Sequence, residues 1–136
     1  MAYEISLKHT PTFLYVTVAG QANFRDIWGV WEDIARACRK FGCSNVLRDG
    51  ILKGQASILD IYRIGNRMNE LELPPKLRVA FVCEEANLPR LGFNETVIAN
   101  RVAGVTIRNF LNRTEAERWL AEEQCRCQPA PDAGEA

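Results

Sequence analysis

Alternating strand-like and helix-like segments predict an α/β domain. The expected form is a single mostly parallel sheet of about five strands with an antiparallel edge strand, and about four helices, in the order ββαβαβαβα. Three observations carry that expectation. Tyr3, Ile5 and Leu7 alternate with Glu4, Ser6 and Lys8, the period-two pattern of a strand with one wet face. From Phe24 the period becomes helical: Phe24, Ile27, Trp28, Trp31, Ile34, Ala35, Cys38 and Phe41 fall within an arc of about 140°. Leu77 to Cys83, Leu-Arg-Val-Ala-Phe-Val-Cys, then reads as another strand.

The opening strand ends at Thr10-Pro11 and belongs at a sheet edge. Thr12 to Val18 is apolar on both parities, which suits a central strand covered on both faces and stopped by Ala19-Gly20. Asn23 with Asp26 forms a capping pair for the first helix, and Gly42 stands where a left-handed C-cap is needed. Cys43 to Asp49 is a short strand around Val46 and Leu47, followed by a loop from Gly50 to Ala56.

The second helix spans about Ser57 to Leu71, with Ile58, Ile61, Tyr62, Gly65 and Met68 as its buried stripe, and Pro74-Pro75 closes it. A third helix is expected near Asn94 to Val102, although Pro89 could also open it, then a strand from Val105 to Phe110. Asn112 and Glu115 cap a fourth helix, Arg113 to about Glu123, whose inner face is Ala116, Trp119 and Leu120. One domain over 1–124 is therefore expected, with 125–136 as a disordered tail of small, polar and proline residues.

The chain has 136 residues, with 17 Lys+Arg against 17 Asp+Glu. A domain of that size buries enough surface to need neither metal nor disulfide. Zero net charge argues against a nucleic-acid binder relying on a broad basic face and gives no reason to expect attraction to an anionic membrane. No run reaches the ~20 apolar residues of a membrane span, and Met1 to Lys8 has no signal-peptide pattern, so a cytoplasmic protein with reduced cysteines is expected. The two N-x-T triplets, at Asn94 and Asn112, then have no role as glycosylation sites.

Catalytic chemistry finds no constellation: the only histidine, His9, is remote in sequence from any serine or cysteine cluster. Cys38 with Cys43, and Cys125 with Cys127, miss the spacing of zinc ligand pairs, so no metal and no cofactor is expected. Around Gly50 to Ala56, Lys53 precedes Gly54 and no Lys-Ser/Thr follows, unlike a phosphate-binding P-loop.

Four features remain. Asp49 sits at the carboxyl end of a parallel strand, where open α/β sheets place ligand sites, although Asp-Gly also opens ordinary turns. Ser57 and Asp60 fit a helix cap, and the same hydroxyl, at a helix N-terminus, suits a phosphate. Ile51, Leu52 and Leu59 would add apolar surface beside it, forming a docking face for a protein partner, unless the loop residues tuck into the core. Trp28, Trp31 and Tyr62 have the aromatic character to line a pocket for a nonpolar small molecule, and also the spacing of core residues. Neutral charge and the two tryptophans would allow a homodimer.

With its elements in this order the sequence resembles the STAS domain (sulfate transporter and anti-sigma factor antagonist), in its SpoIIAA-like branch of small bacterial proteins. The likeness lies in Phe13-Leu-Tyr-Val-Thr-Val-Ala-Gly20, the Trp-containing first helix, Asn45-Val-Leu-Arg-Asp49, Leu77-Arg-Val-Ala-Phe-Val82, Asn100-Arg-Val-Ala-Gly104 and Glu115-Ala-Glu-Arg-Trp-Leu120. It covers nearly the whole chain up to Glu123. The resemblance implies a non-enzymatic module that binds other proteins. In the best-known branch a partner kinase phosphorylates a serine at the start of the second helix. Asp49 matches the strand-end aspartate and Ser57 falls at the place of that serine, in Ala56-Ser57-Ile58 rather than in an Asp-Ser pair followed by small residues. Likeness in architecture to lipid-carrying CRAL-TRIO domains implies, as a second function, a carrier or sensor of a small nonpolar ligand.

Overall fold

The computed structural model describes residues 3–50, 52–54, 56–84 and 104–127, with side chains up to residue 121. Among these, five strands form one mixed sheet in the order β1-β2-β3-β4-β5. They are β1 (Glu4–His9), β2 (Leu14–Ala19), β3 (Asn45–Asp49), β4 (Leu77–Val82) and β5 (Val105–Phe110). β1 runs antiparallel to β2, with Ile5 opposite Val18, and the other three pairings are parallel. β1 is the edge strand its alternation predicts. β2 is interior, with a partner on each side, but the middle position belongs to β3.

Three α-helices are present among the described residues: α1 (Phe24–Phe41), α2 (Ile58–Arg67) and α3 (Arg113–Cys127). Each opens on the cap that its sequence carries. Asp26 N–H donates to Asn23 Oδ1 (2.8 Å), Asp60 N–H to Ser57 Oγ (3.1 Å) and Glu115 N–H to Asn112 Oδ1 (2.9 Å). At the far end of α1, Gly42 adopts φ +63° and its N–H closes onto the Cys38 carbonyl.

The second helix differs from expectation in two ways. Its last turn, Met68–Leu71, tightens into a 3₁₀ turn, and Arg39 Nη1 donates to the Leu71 carbonyl (2.8 Å), satisfying an acceptor that the helix end leaves open. Its buried stripe is Ile61, Ile64, Gly65 and Met68, while Ile58 in the first turn is 61% exposed. α3 continues past Glu123 to Cys127, and the expected helix at 94–102 and the residues 128–136 lie outside the described residues.

The sheet has a core on each face. On one, Val30, Trp31 and Ile34 of α1 and Ile64 of α2 pack with Met68 over Leu14, Val16, Val46, Val79 and Ile107. On the other, Ala116 and Leu120 of α3 cover Phe13, Leu47 and Ala80. Most of the apolar arc of α1 thus lies on the sheet as its period requires, with Trp31 fully buried, but Phe41 at its end is 41% exposed. Opposite the arc, Tyr3 hydroxyl donates to Asp33 Oδ2 (2.8 Å), tying the start of β1 to α1.

Candidate functional site

The segment after β3 places most of the residues singled out in the sequence. Gly50 turns it with φ +84°, and a Cβ there would stand 3.0 Å from the Val18 carbonyl oxygen, so only glycine fits the approach to β2. Beyond the turn, Lys53 N–H donates to the Gly20 carbonyl (2.8 Å) and Ala22 N–H to the Lys53 carbonyl (2.7 Å). This short parallel bridge draws the loop in, and Leu52 is 5% exposed as part of the main core. Leu52 is therefore a packing residue and not the surface group expected of it. Ile51 lies outside the described residues.

At the start of α2, Ser57 is exposed, and its hydroxyl oxygen accepts from the Asp60 N–H. Arg63 binds Asp60 Oδ1 (3.2 Å) while its guanidinium lies 4.1 Å from the Phe24 ring centre. Leu59 is 74% exposed beside exposed Ile58. The geometry therefore brings together an accessible hydroxyl, a helix N-terminus and two bare aliphatic side chains.

Asp49 is not part of that group. The strand pleat sends it to the α3 face, where Tyr15 hydroxyl donates to its Oδ2 (3.1 Å). Arg113 stacks over the same Tyr15 ring (4.2 Å) and binds Glu117. Burial and then the Asp49 hydrogen bond push the Tyr15 hydroxyl above its ordinary pKa. Asp49 acts here as an acceptor that fixes Tyr15.

Two of the three aromatic candidates, Trp31 and Trp28, are packed against neighbouring elements. Trp31 is in the core. Half-buried Trp28 stacks in parallel on Phe24 (6.2 Å) and under Arg67 (4.9 Å), forming the seam between α1 and α2, and Tyr62 is half-buried on α2. His9 stacks on Phe41 (4.8 Å).

Arg48, the neighbour of Asp49, is the residue that the sequence reading passed over. It is 6% exposed, lies on the α1/α2 face, and has its guanidinium 4.7 Å from the Phe81 ring centre. Among the described residues its Nε finds no acceptor, and burial lowers its pKa to about 10. Asp26 Oδ1 and Asn109 Oδ1 are likewise buried without a donor. The signal in the sequence was an arginine inside the apolar core of a short interior strand, a place where arginine is rarely buried unless paired.

Among the described residues, no group of three or more His, Cys, Asp or Glu side chains is placed to hold a metal ion, and no helix is long and apolar enough to cross a membrane. Cys38, Cys43 and Cys83 are free thiols, and burial pushes Cys38 up to about 12.

No protein-family model matches the chain, and no curated protein does. Among solved structures, an anti-sigma factor antagonist from Mycobacterium paratuberculosis is similar at TM-score 0.51 and 10% identity, over 88% of this chain and 95% of that one. A protein of the DUF3478 family with a SpoIIAA-like fold from Shewanella loihica PV-4 is similar at TM-score 0.49 and 18% identity, over 88% and 93%. The mixed five-stranded sheet flanked by helices on both faces is thus a fold shared with the anti-sigma factor antagonist along almost its whole length.

Proposed function

We propose that this chain is a cytoplasmic, non-enzymatic regulatory module of the STAS type. It docks a partner protein on the start of α2 and is switched by phosphorylation of Ser57. The observation that carries this reading is the pairing of an exposed capping serine with 74%-exposed Leu59 and 61%-exposed Ile58 in the first turn of the helix it caps. A phosphate of about −2 charge sits well at a helix N-terminus, so modification would leave the fold intact. The same charge beside Leu59 would have to be desolvated by any apolar partner surface, which is how it would release that partner. The antagonist of matching fold is named for action on another protein, which agrees with this reading.

The test compares proteins retained from lysate by wild type, Ser57→Ala, Ser57→Asp and Leu59→Glu. One protein held by the first two and lost from both charged variants, with those two variants keeping the wild-type melting temperature, is the expected result. Equal retention by all four removes the docking face. A gel-filtration series on the same samples decides whether the partner is a second copy of the chain.

A second reading is carriage of a small nonpolar ligand; Trp31 lies in the core and Trp28 in the seam between α1 and α2, so neither supports it. Its support is instead Arg48, buried beneath α1 and α2 with its Nε lacking an acceptor among the described residues.

A further inference from the structure

We infer that Arg48 is the anchor for a small anionic ligand, a monocarboxylate with an apolar body, seated between the sheet and the α1/α2 layer at the carboxyl edge of β3 and β4. The inference deepens the small-ligand reading and rests on it, and it is independent of docking at Ser57.

Arg48 is the fourth residue of the five in β3. Its partners across the sheet are Val16 on β2 and Phe81 on β4, and Phe81 in turn pairs with Asn109 on β5. This row lies toward the carboxyl ends of the parallel strands, the edge at which open α/β sheets receive ligands. α1 and α2 both begin at that edge, so the positive ends of two helices share it.

Within the row, two polar groups are left over. Arg48 is more than nine-tenths buried, its Nε has no acceptor among the described residues, and no described carboxylate forms an ion pair with it. Asn109 Oδ1 is buried without a donor. The fold is able to satisfy an arginine at this depth: Arg78, on the opposite face of β4, donates from Nη1 to the Trp119 carbonyl (3.3 Å) and lies 3.6 Å from that indole ring. Among the described residues, Arg48 has only the face of Phe81.

A buried guanidinium lacking a counter-ion is costly, and an incoming anion would remove that cost. The planar fork that includes Nε matches the two oxygens of a carboxylate. A single positive charge balances a monoanion, whereas a phosphate dianion would leave a net negative charge in the same apolar layer. Val16, Val79, Phe81 and Ile107 make that layer hydrophobic, which calls for an apolar body behind the carboxylate. Asn109 Oδ1 would take a ligand hydroxyl or a bridging water.

The probe is sodium octanoate, with octanol as the same chain lacking charge and inorganic phosphate as an anion lacking the chain. Thermal shift on the wild-type protein is expected to rise saturably with octanoate and to stay flat with octanol and phosphate. Arg48→Met should fold and bind octanoate at least about tenfold more weakly, with Arg48→Lys between the two. Equal response to octanoate and octanol, or an undiminished response in Arg48→Met, overturns the anchor while leaving the small-ligand reading standing. An equal response to phosphate overturns the monocarboxylate class. No response to any probe, together with a clean apo mass in native mass spectrometry of the freshly purified protein, overturns both. The comparison of octanoate with octanol needs only the wild type, so the outcome does not depend on any variant folding.

Discussion

Replacing Arg48 by methionine should make the ligand-free protein more stable. Burial alone depresses the Arg48 pKa to about 10, well below the ordinary arginine value. At about 1.4 kcal/mol per pH unit, that depression amounts to a penalty of about 3 kcal/mol on the charged form in the folded state. Methionine retains an unbranched apolar stem over Phe81 and carries no charge to desolvate, but it forfeits the guanidinium–ring attraction of ~1–2 kcal/mol. The balance favours the variant by about 1–2 kcal/mol, a rise in melting temperature of roughly 3–8 °C for a domain of this size. Urea denaturation checks it: the midpoint should increase with the slope unchanged. Because the folded pKa lies below the unfolded one, the wild-type penalty is complete below pH 10 and lifts only as pH climbs above it. The gap between variant and wild type should therefore be constant through neutral pH and narrow in alkali. A loss of more than about 1 kcal/mol in the variant would mean that the fold itself satisfies Arg48, and the argument for a missing anion would fail.

Ser57→Ala removes an N-cap bond and should cost about 1 kcal/mol in denaturant titration, whereas Ser57→Asp, another good cap, should be close to neutral. Trp31→Ala empties the main core and should cost about 3–5 kcal/mol by the same measurement. Cys38, buried and pushed up to about 12, should resist thiol reagents at pH 8 until the protein is unfolded, as peptide mapping of labelled samples would reveal. Burial and then the Asp33 hydrogen bond raise Tyr3 to about 12, so the unfolded chain sheds this proton first and stability should fall as pH rises from about 10 to 12. In Tyr3→Phe that part of the fall should disappear from the alkaline denaturation curve.

Local signals in the sequence map closely onto local structure. Asn23, Ser57 and Asn112 each cap the helix that their spacing with an acidic residue three positions on indicates, because that geometry depends on four consecutive residues and little else. The apolar arc of α1 and the boundaries of β5 are legible for the same reason. What depends on other elements is less so. Period places Ile58 on the same side as Ile61, but periodicity says nothing of how far the covering sheet extends, and Ile58 is exposed. Leu52 looks like a loop residue until the bridge between Gly20 and Lys53 is seen to pull it inward. Thr12 to Val18 reads as covered on both faces, and Phe13, Leu14, Val16 and Val18 are buried, but Tyr15 and Thr17 are only half-buried and Thr12 is exposed; its rank in the sheet is set by crossover connections and not by its own residues, so β3 takes the middle.

Arg48 and Asp49 make the sharpest case. In sequence, the strand-end aspartate draws attention because of its place before Gly50, and the arginine before it looks like an ordinary charged residue. The pleat then assigns the two to opposite faces. On the α3 face, Asp49 finds Tyr15 and its charge is put to structural use. On the α1/α2 face, Arg48 meets Phe81, and among the described residues its Nε is left over. A charged side chain points to function when its surroundings fail to answer its charge, and that depends on which face of the sheet it reaches. By that criterion the interior candidate of this domain is the arginine, while the exterior one is the α2 start, where Ser57 and Leu59 meet solvent together. Since α2 presents Ser57 and Leu59 outward and packs Ile64 into the core that contains Phe81, one helix borders both sites without either requiring the other.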